Sequence, residues 1–233
     1  MRRIFGMTEG DDSPLFVFPR WSNYALPVIA LAVFGGLLYV PTLITLGASP
    51  RTTAVGYSPT QPVPYSHRLH VGKLGLDCRY CHFTVEKTAF ASLPPTQVCM
   101  NCHTKIKPDS DKLAPVRESW LTGQPIEWVK IHNLANYVYF NHSAHVNHGV
   151  GCVSCHGRID QMDQVAQQQP LSMGWCLDCH RNTAKNLRPL DEVTNLGWKP
   201  DPDVDPVQFG LQLQKSYGIH DVAYMTSCST CHR

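Results

Sequence analysis

The stretch NHSAHVNHGVGCVSCHGR, residues 141–158, places four histidines and two cysteines within eighteen positions. Its cysteines form one C-x-x-C pair, and a histidine follows the pair at once. Four more units of this kind occur in the chain. The five are CRYCH (Cys78, Cys81, His82), CMNCH (Cys99, Cys102, His103), CVSCH (Cys152, Cys155, His156), CLDCH (Cys176, Cys179, His180) and CSTCH (Cys228, Cys231, His232). Together they use all ten cysteines of the sequence. With 12 histidines in 233 residues, five such followers by chance are on the order of one in a few million.

Three chemistries compete for paired cysteines. Zinc ribbons bring two C-x-x-C knuckles to one metal and have no use for a histidine after each. A disulfide scaffold does not require a regular two-residue spacing. A thioredoxin-like redox motif comes once, inside a βαβ pattern that is absent here. The fourth chemistry fits every unit: C-x-x-C-H is the attachment signature of c-type haem. Two thiols reach the two vinyl groups of one porphyrin, and the adjacent imidazole becomes the proximal iron ligand. The sequence therefore implies five covalent haems c, with His82, His103, His156, His180 and His232 as proximal ligands.

Seven histidines remain: His67, His70, His132, His142, His145, His148 and His220. Four of them reveal a repeat, because YSHRLHVGKLGLDCRYCH aligns with FNHSAHVNHGVGCVSCH at an offset of 74 to 77 residues. Each copy runs on into a second C-x-x-C-H unit, which gives two dihaem modules, about 63–103 and 138–180, and a fifth haem at 228–232. The H-x-x-H pair before a haem motif resembles the small multihaem cytochromes of the c3 and c7 type. That resemblance implies that His67 serves the Cys78/Cys81 haem and His142 the Cys152/Cys155 haem, while His70 and His145 reach other haems. For the fifth distal position two candidates stay open. Met173 stands just before a haem motif, and a thioether would raise that haem's potential; His132 lies just ahead of the second module. His148 and His220 receive no role.

Outward from the motifs, the chain is nearly neutral, with 20 basic and 18 acidic residues and no concentrated basic run. Nucleic acid is excluded as a partner on that ground. Residues 25–46, ALPVIALAVFGGLLYVPTLITL, carry no charge over 22 positions, long enough for a transmembrane helix. Trp21 and Tyr24 stand where interfacial aromatics belong. The run is longer than a signal-peptide core, acidic residues precede it and no A-x-A site follows, so an uncleaved anchor is expected. Arg2, Arg3 and Arg20 precede it and only Arg51 follows closely. The expected topology is a cytoplasmic segment 1–24, an inner-membrane helix 25–46, a Pro-containing linker 47–64 and a periplasmic haem domain 65–233.

Five haems among the roughly 186 residues after the anchor leave little polypeptide for an ordinary core. The expected fold is a membrane-anchored multihaem cytochrome c whose domain wraps porphyrins in short helices and long loops, with little or no sheet. One helix is predicted at PVRESWLTG, with Pro115 at its start and Gly123 past its end. Residues 186–227 show too little apolar pattern for a core and are expected to wrap a partner or the fifth haem.

Haems ligated on both faces exchange electrons and do not bind substrate. The sequence thus implies an electron-transfer subunit rather than a catalytic one. The anchor, the five spaced motifs, SHRLH and NHSAH, LSMGWCLDCHR and TSCSTCHR together resemble the pentahaem cytochrome c subunit of alternative complex III. That resemblance implies a quinol-oxidising respiratory complex with polytopic quinol-binding subunits, an iron–sulfur subunit and a monohaem cytochrome c as partners. Electrons would pass on to a periplasmic cytochrome or a terminal oxidase. The alternative is an anchored quinol dehydrogenase that oxidises quinol at its own membrane-proximal haem, which needs a weak or open axial site near residues 48–66. A multihaem nitrite-type reductase would need a five-coordinate haem, and no motif supplies one.

Overall fold

A computed structural model describes residues 19–47, 49 and 53–232. Most of the expected cytoplasmic segment, including Arg2 and Arg3, and four residues of the expected linker lie outside the described residues. The chain divides into two units, residues 1–48 and 49–233.

In the first unit a 3-10 turn, Arg20–Tyr24, leads into helix α1, Ala25–Gly47. At about 1.5 Å per residue its 23 residues measure roughly 34 Å, enough to cross a hydrocarbon core of about 30 Å. The apolar side chains of Leu26 through Leu46 are exposed, as lipid-facing groups would be. Pro41 lies inside the helix and removes one backbone donor. Beside it Thr42 Oγ1 donates to Leu38 O at 2.7 Å, a bond that satisfies helix carbonyls from within. The helix fits a single-pass anchor by length and composition.

The second unit is built of short helices. They are α2 Cys78–Cys81, α3 Thr96–His103, α4 Ala114–Thr122, α5 His142–Val146, α6 Val153–His156, α7 Met173–Arg181, α8 Pro206–Ser216, α9 Val222–Met225 and α10 Cys228–Cys231. Among the described residues there is no strand, only an isolated bridge between Val150 and Leu187. Helix α4 falls where PVRESWLTG predicts it, and it stops because Gly123 turns left-handed at φ 72°, a conformation glycine adopts without steric cost.

The polypeptide's own core is small. Among the described residues seven apolar side chains are buried, and Val85, Val146 and Val193 form the central cluster with Ala91 and Cys152 packed against it. No large side chain among the described residues is fully buried. Five of the seven lie outside helices, so helix amphipathicity does not organise this domain.

Two expectations need correction. Residues 186–227 are not a bare wrapping segment: Leu187, Val193 and Leu196 are buried, and Val193 sits in the central cluster. These positions are too irregularly spaced for either helical or strand periodicity to reveal them. The described part of the expected linker, residues 53–64, is not a free connection: it is bonded to the rest of its unit. Gly56 N donates to Gln167 O at 2.8 Å, and Gln167 N donates to Tyr57 O at 3.0 Å. Gln61 Nε2 donates to Val129 O while its Oε1 accepts from Val129 N. Val63 is buried. Glutamine side chains carry both donors and acceptors, so they satisfy an extended, proline-rich backbone that cannot pair with itself.

Candidate haem and axial-ligand sites

The five C-x-x-C-H units share a local design. In each, the cysteines lie on a short helical turn that carries both thiols to one side, with the histidine at or just past its end. Asp77 caps the first turn by accepting from Arg79 N at 2.8 Å, and Ser172 caps α7 through Trp175 N, so backbone donors at these starts are satisfied. None of the ten cysteines is paired in a disulfide. Among the described residues no three His, Cys, Asp or Glu side chains converge on one point, whereas a zinc ribbon needs four.

The imidazoles are held in one tautomer. Seven of the ten candidate histidines donate Nδ1–H to a backbone carbonyl: His70 to Ser66, His82 to Ser92, His103 to Ile106, His142 to Ala89, His145 to Asn141, His180 to Met225 and His232 to Tyr137, at 2.7 to 3.0 Å. A carbonyl only accepts, so the proton sits on Nδ1 and the Nε2 lone pair is left for a metal. Burial and the neighbouring His82 and His70 push His67 down to about 4. Burial, then His132 and His142, pushes His156 down to about 3. Both are neutral near pH 7, as metal ligation requires.

Ring positions pair these histidines. Centroids lie 6.2 Å apart for His70 and His103, 6.2 Å for His145 and His180, and 6.4 Å for His142 and His156. Two imidazoles that bind one metal ion through facing nitrogens need about 2 Å per metal–nitrogen bond and about 1 Å from each nitrogen to its ring centre, about 6 Å in all. The donor set therefore fits an iron ligated on both sides, and the ten flanking thiols fit the covalent edges of five porphyrins.

The remaining candidates differ. His67 is half-buried, with its Nδ1 buried and unpartnered, close enough to His82 to feel its charge. His132 is half-buried with Nε2 unpartnered, its ring edge-on to His156 at 4.5 Å. Met173 opens α7 and is 64% exposed. It stands one helical turn before Cys176 and so shares a face with it; Cys176 in turn neighbours Cys231. His148 is exposed with Nδ1 donating to Ala144 O at 2.7 Å. His220 lies against Tyr224 with centroids 4.1 Å apart.

Two features had no assigned role in the sequence. Tyr65 and Phe140 each touch both members of the H-x-x-H pair that follows; their signal was the aromatic in the repeat. Arg188, which carried no signal, is 7% exposed, donates Nη1 to Asn195 O at 2.8 Å and lies 5.3 Å over the Trp198 ring. Burial lowers its pKa, and nearby Cys152 and Glu192 act against that shift.

Among the described residues the second unit is mostly helical and without sheet, and its C-terminal part is similar to a family of multihaem cytochromes. Residues 138–233 match the family model described as cytochrome c7 and related cytochrome c. A relative, the menaquinone reductase multiheme cytochrome c subunit of Nitratidesulfovibrio vulgaris strain Hildenborough, is 28% identical across 52% of this chain and 68% of its own length.

Proposed function

We propose that the chain binds five haems c through Cys78/Cys81, Cys99/Cys102, Cys152/Cys155, Cys176/Cys179 and Cys228/Cys231, and that it relays electrons for a quinone-linked membrane complex. A ligated haem iron exchanges single electrons. The observation that carries the reading is the set of imidazole pairs about one metal-bridging distance apart, 6.2 to 6.4 Å, each joining a C-x-x-C-H histidine to an H-x-x-H histidine. In this reading His103/His70, His156/His142 and His180/His145 are axial pairs, and His82/His67 follows by the repeat. Met173, on the same helical face as Cys176, would supply the second ligand of the fifth haem opposite His232. His132 packs edge-on against His156 and supports that imidazole.

The protein's own residues hold Nδ1 protons, partly shield the half-buried imidazoles from water and fix ring planes. Helix α1 is the membrane anchor, with the haem domain on the periplasmic side. The assembly in view is a quinol-oxidising complex of the alternative complex III kind, with an iron–sulfur subunit, polytopic quinol-binding subunits and a monohaem cytochrome c. The relative's name favours a second direction for the same row, in which electrons run from the haems toward a quinone.

Purification with the anchor intact tests the reading. Polytopic subunits should copurify, all haems should be low-spin, and the reduced protein should not bind carbon monoxide. Carbon monoxide binding together with quinol oxidation by the isolated chain would replace this reading with that of a quinol dehydrogenase.

A further inference from the structure

The five attachment loops touch one another in single file. Asn101 Nδ2 donates to Tyr80 Oη at 3.3 Å, tying the 99–102 loop to the 78–81 loop. Cys78 Sγ reaches Thr194 O at 3.9 Å and Cys152 N donates to Val193 O at 3.1 Å, so the 78–81 and 152–155 loops meet on adjacent residues. Gly151 N donates to Asn186 O at 3.4 Å, and Asn186 Nδ2 reaches Cys179 Sγ at 3.3 Å, joining the 152–155 and 176–179 loops. His180 Nδ1 donates to Met225 O at 2.8 Å, just ahead of the 228–231 loop.

Exposure marks the ends of this file. Cys102 and Cys228 are exposed, while the other eight cysteines are half-buried. Those two belong to the loops that the contacts place first and last.

We propose that the five haems stand in the order 99/102, 78/81, 152/155, 176/179, 228/231, so that electrons enter and leave at the two outer members. The order rests on the haem reading above. It departs from the sequence, because the first haem along the chain becomes an inner relay and the second becomes a terminus. Any partner that exchanges electrons with this domain then faces the 99–102 loop or the 228–231 loop.

The test uses the anchored, fully loaded chain. His70→Met tags the outer 99/102 haem and His142→Met tags the inner 152/155 haem, since a thioether raises the potential of the haem it ligates. The tagged haem takes its electron earlier, and its added charge moves the midpoint of each haem beside it. One other midpoint should move with His70→Met and two with His142→Met. Equal numbers, or the larger number with His70→Met, would overturn the order. A second measurement on the unmodified chain covers variants that fail to fold. A soluble lanthanide chelate should strongly shorten the spin relaxation of two ferric haem signals; three or more signals relaxed alike would overturn the order. Fewer than five macrocycles in the intact mass would sink the haem reading itself, a failure visible without either measurement.

Discussion

Tyr65 and Phe140 stand at equivalent places in the two repeats and pack alike. Each lies edge-on to the first histidine, at 4.8 Å and 85° for Tyr65 and 4.7 Å and 85° for Phe140. Each lies nearly parallel to the second, at 4.3 Å and 21° or 4.7 Å and 29°. Around that shared element the modules differ. Eight positions separate His70 from Cys78 and seven separate His145 from Cys152. The extra residue is absorbed as a π-helical turn, Arg68–Lys73, where the second module has the ordinary turn of α5. A single inserted residue in a helix has this outcome. The charged neighbour also changes. Before the first cysteine the first module has Asp77, which binds Arg79 and Thr194 and is lowered to about 2 mainly by Arg79. The second has Gly151, where a Cβ would meet the Arg188 guanidinium. The spacing of imidazoles is kept, and the electrostatics beside the thiols are inverted.

Experiments on this contrast rank by expected size. Replacing His70 or His145 by methionine should raise one haem potential in each module by on the order of 0.1 V, read by potentiometric titration. A shift in only one module would break the equivalence. Arg188→Gln removes a buried cation beside Cys152 and should lower one potential in the second module, while Asp77→Asn should raise one in the first. Each shift should be tens of millivolts, smaller for the more exposed Asp77; shifts of the same sign would contradict the inversion. Phe140→Leu and Tyr65→Leu should each disturb the low-spin signals of two haems, since each ring touches two imidazoles. In the unmodified protein the ring planes of His142 and His156 differ by 9° and those of His70 and His103 by 63°. Electron paramagnetic resonance should therefore show a more anisotropic signal from the first module. The smallest effect is expected from deleting Lys73, which should turn the π-helical turn into an α-turn and move Tm by only a few degrees.

The sequence exposed the parts of this molecule whose chemistry demands fixed spacing. To meet two vinyl groups Cys78 and Cys81 would need two residues between them, and His67 and His70 would need to share a helical face, so both patterns survive in the letters. The apolar run is legible for a similar reason, because a helix that is to cross a bilayer needs the length and apolarity of Ala25–Gly47. Val193 and Leu187 were not legible, since a core built on loops leaves no period. Arg188 was missed because its role comes from Gly151 and Trp198, residues far from one another in the chain. The strapping of residues 53–64 depends on glutamines about a hundred positions away.

Porphyrin iron as the working part of this chain is tested most directly by the mass of the intact purified protein. Ten thioether bonds to five macrocycles are expected, with no free thiol left to alkylate. Alkylatable cysteines, fewer than five macrocycles, or zinc in their place would contradict the account.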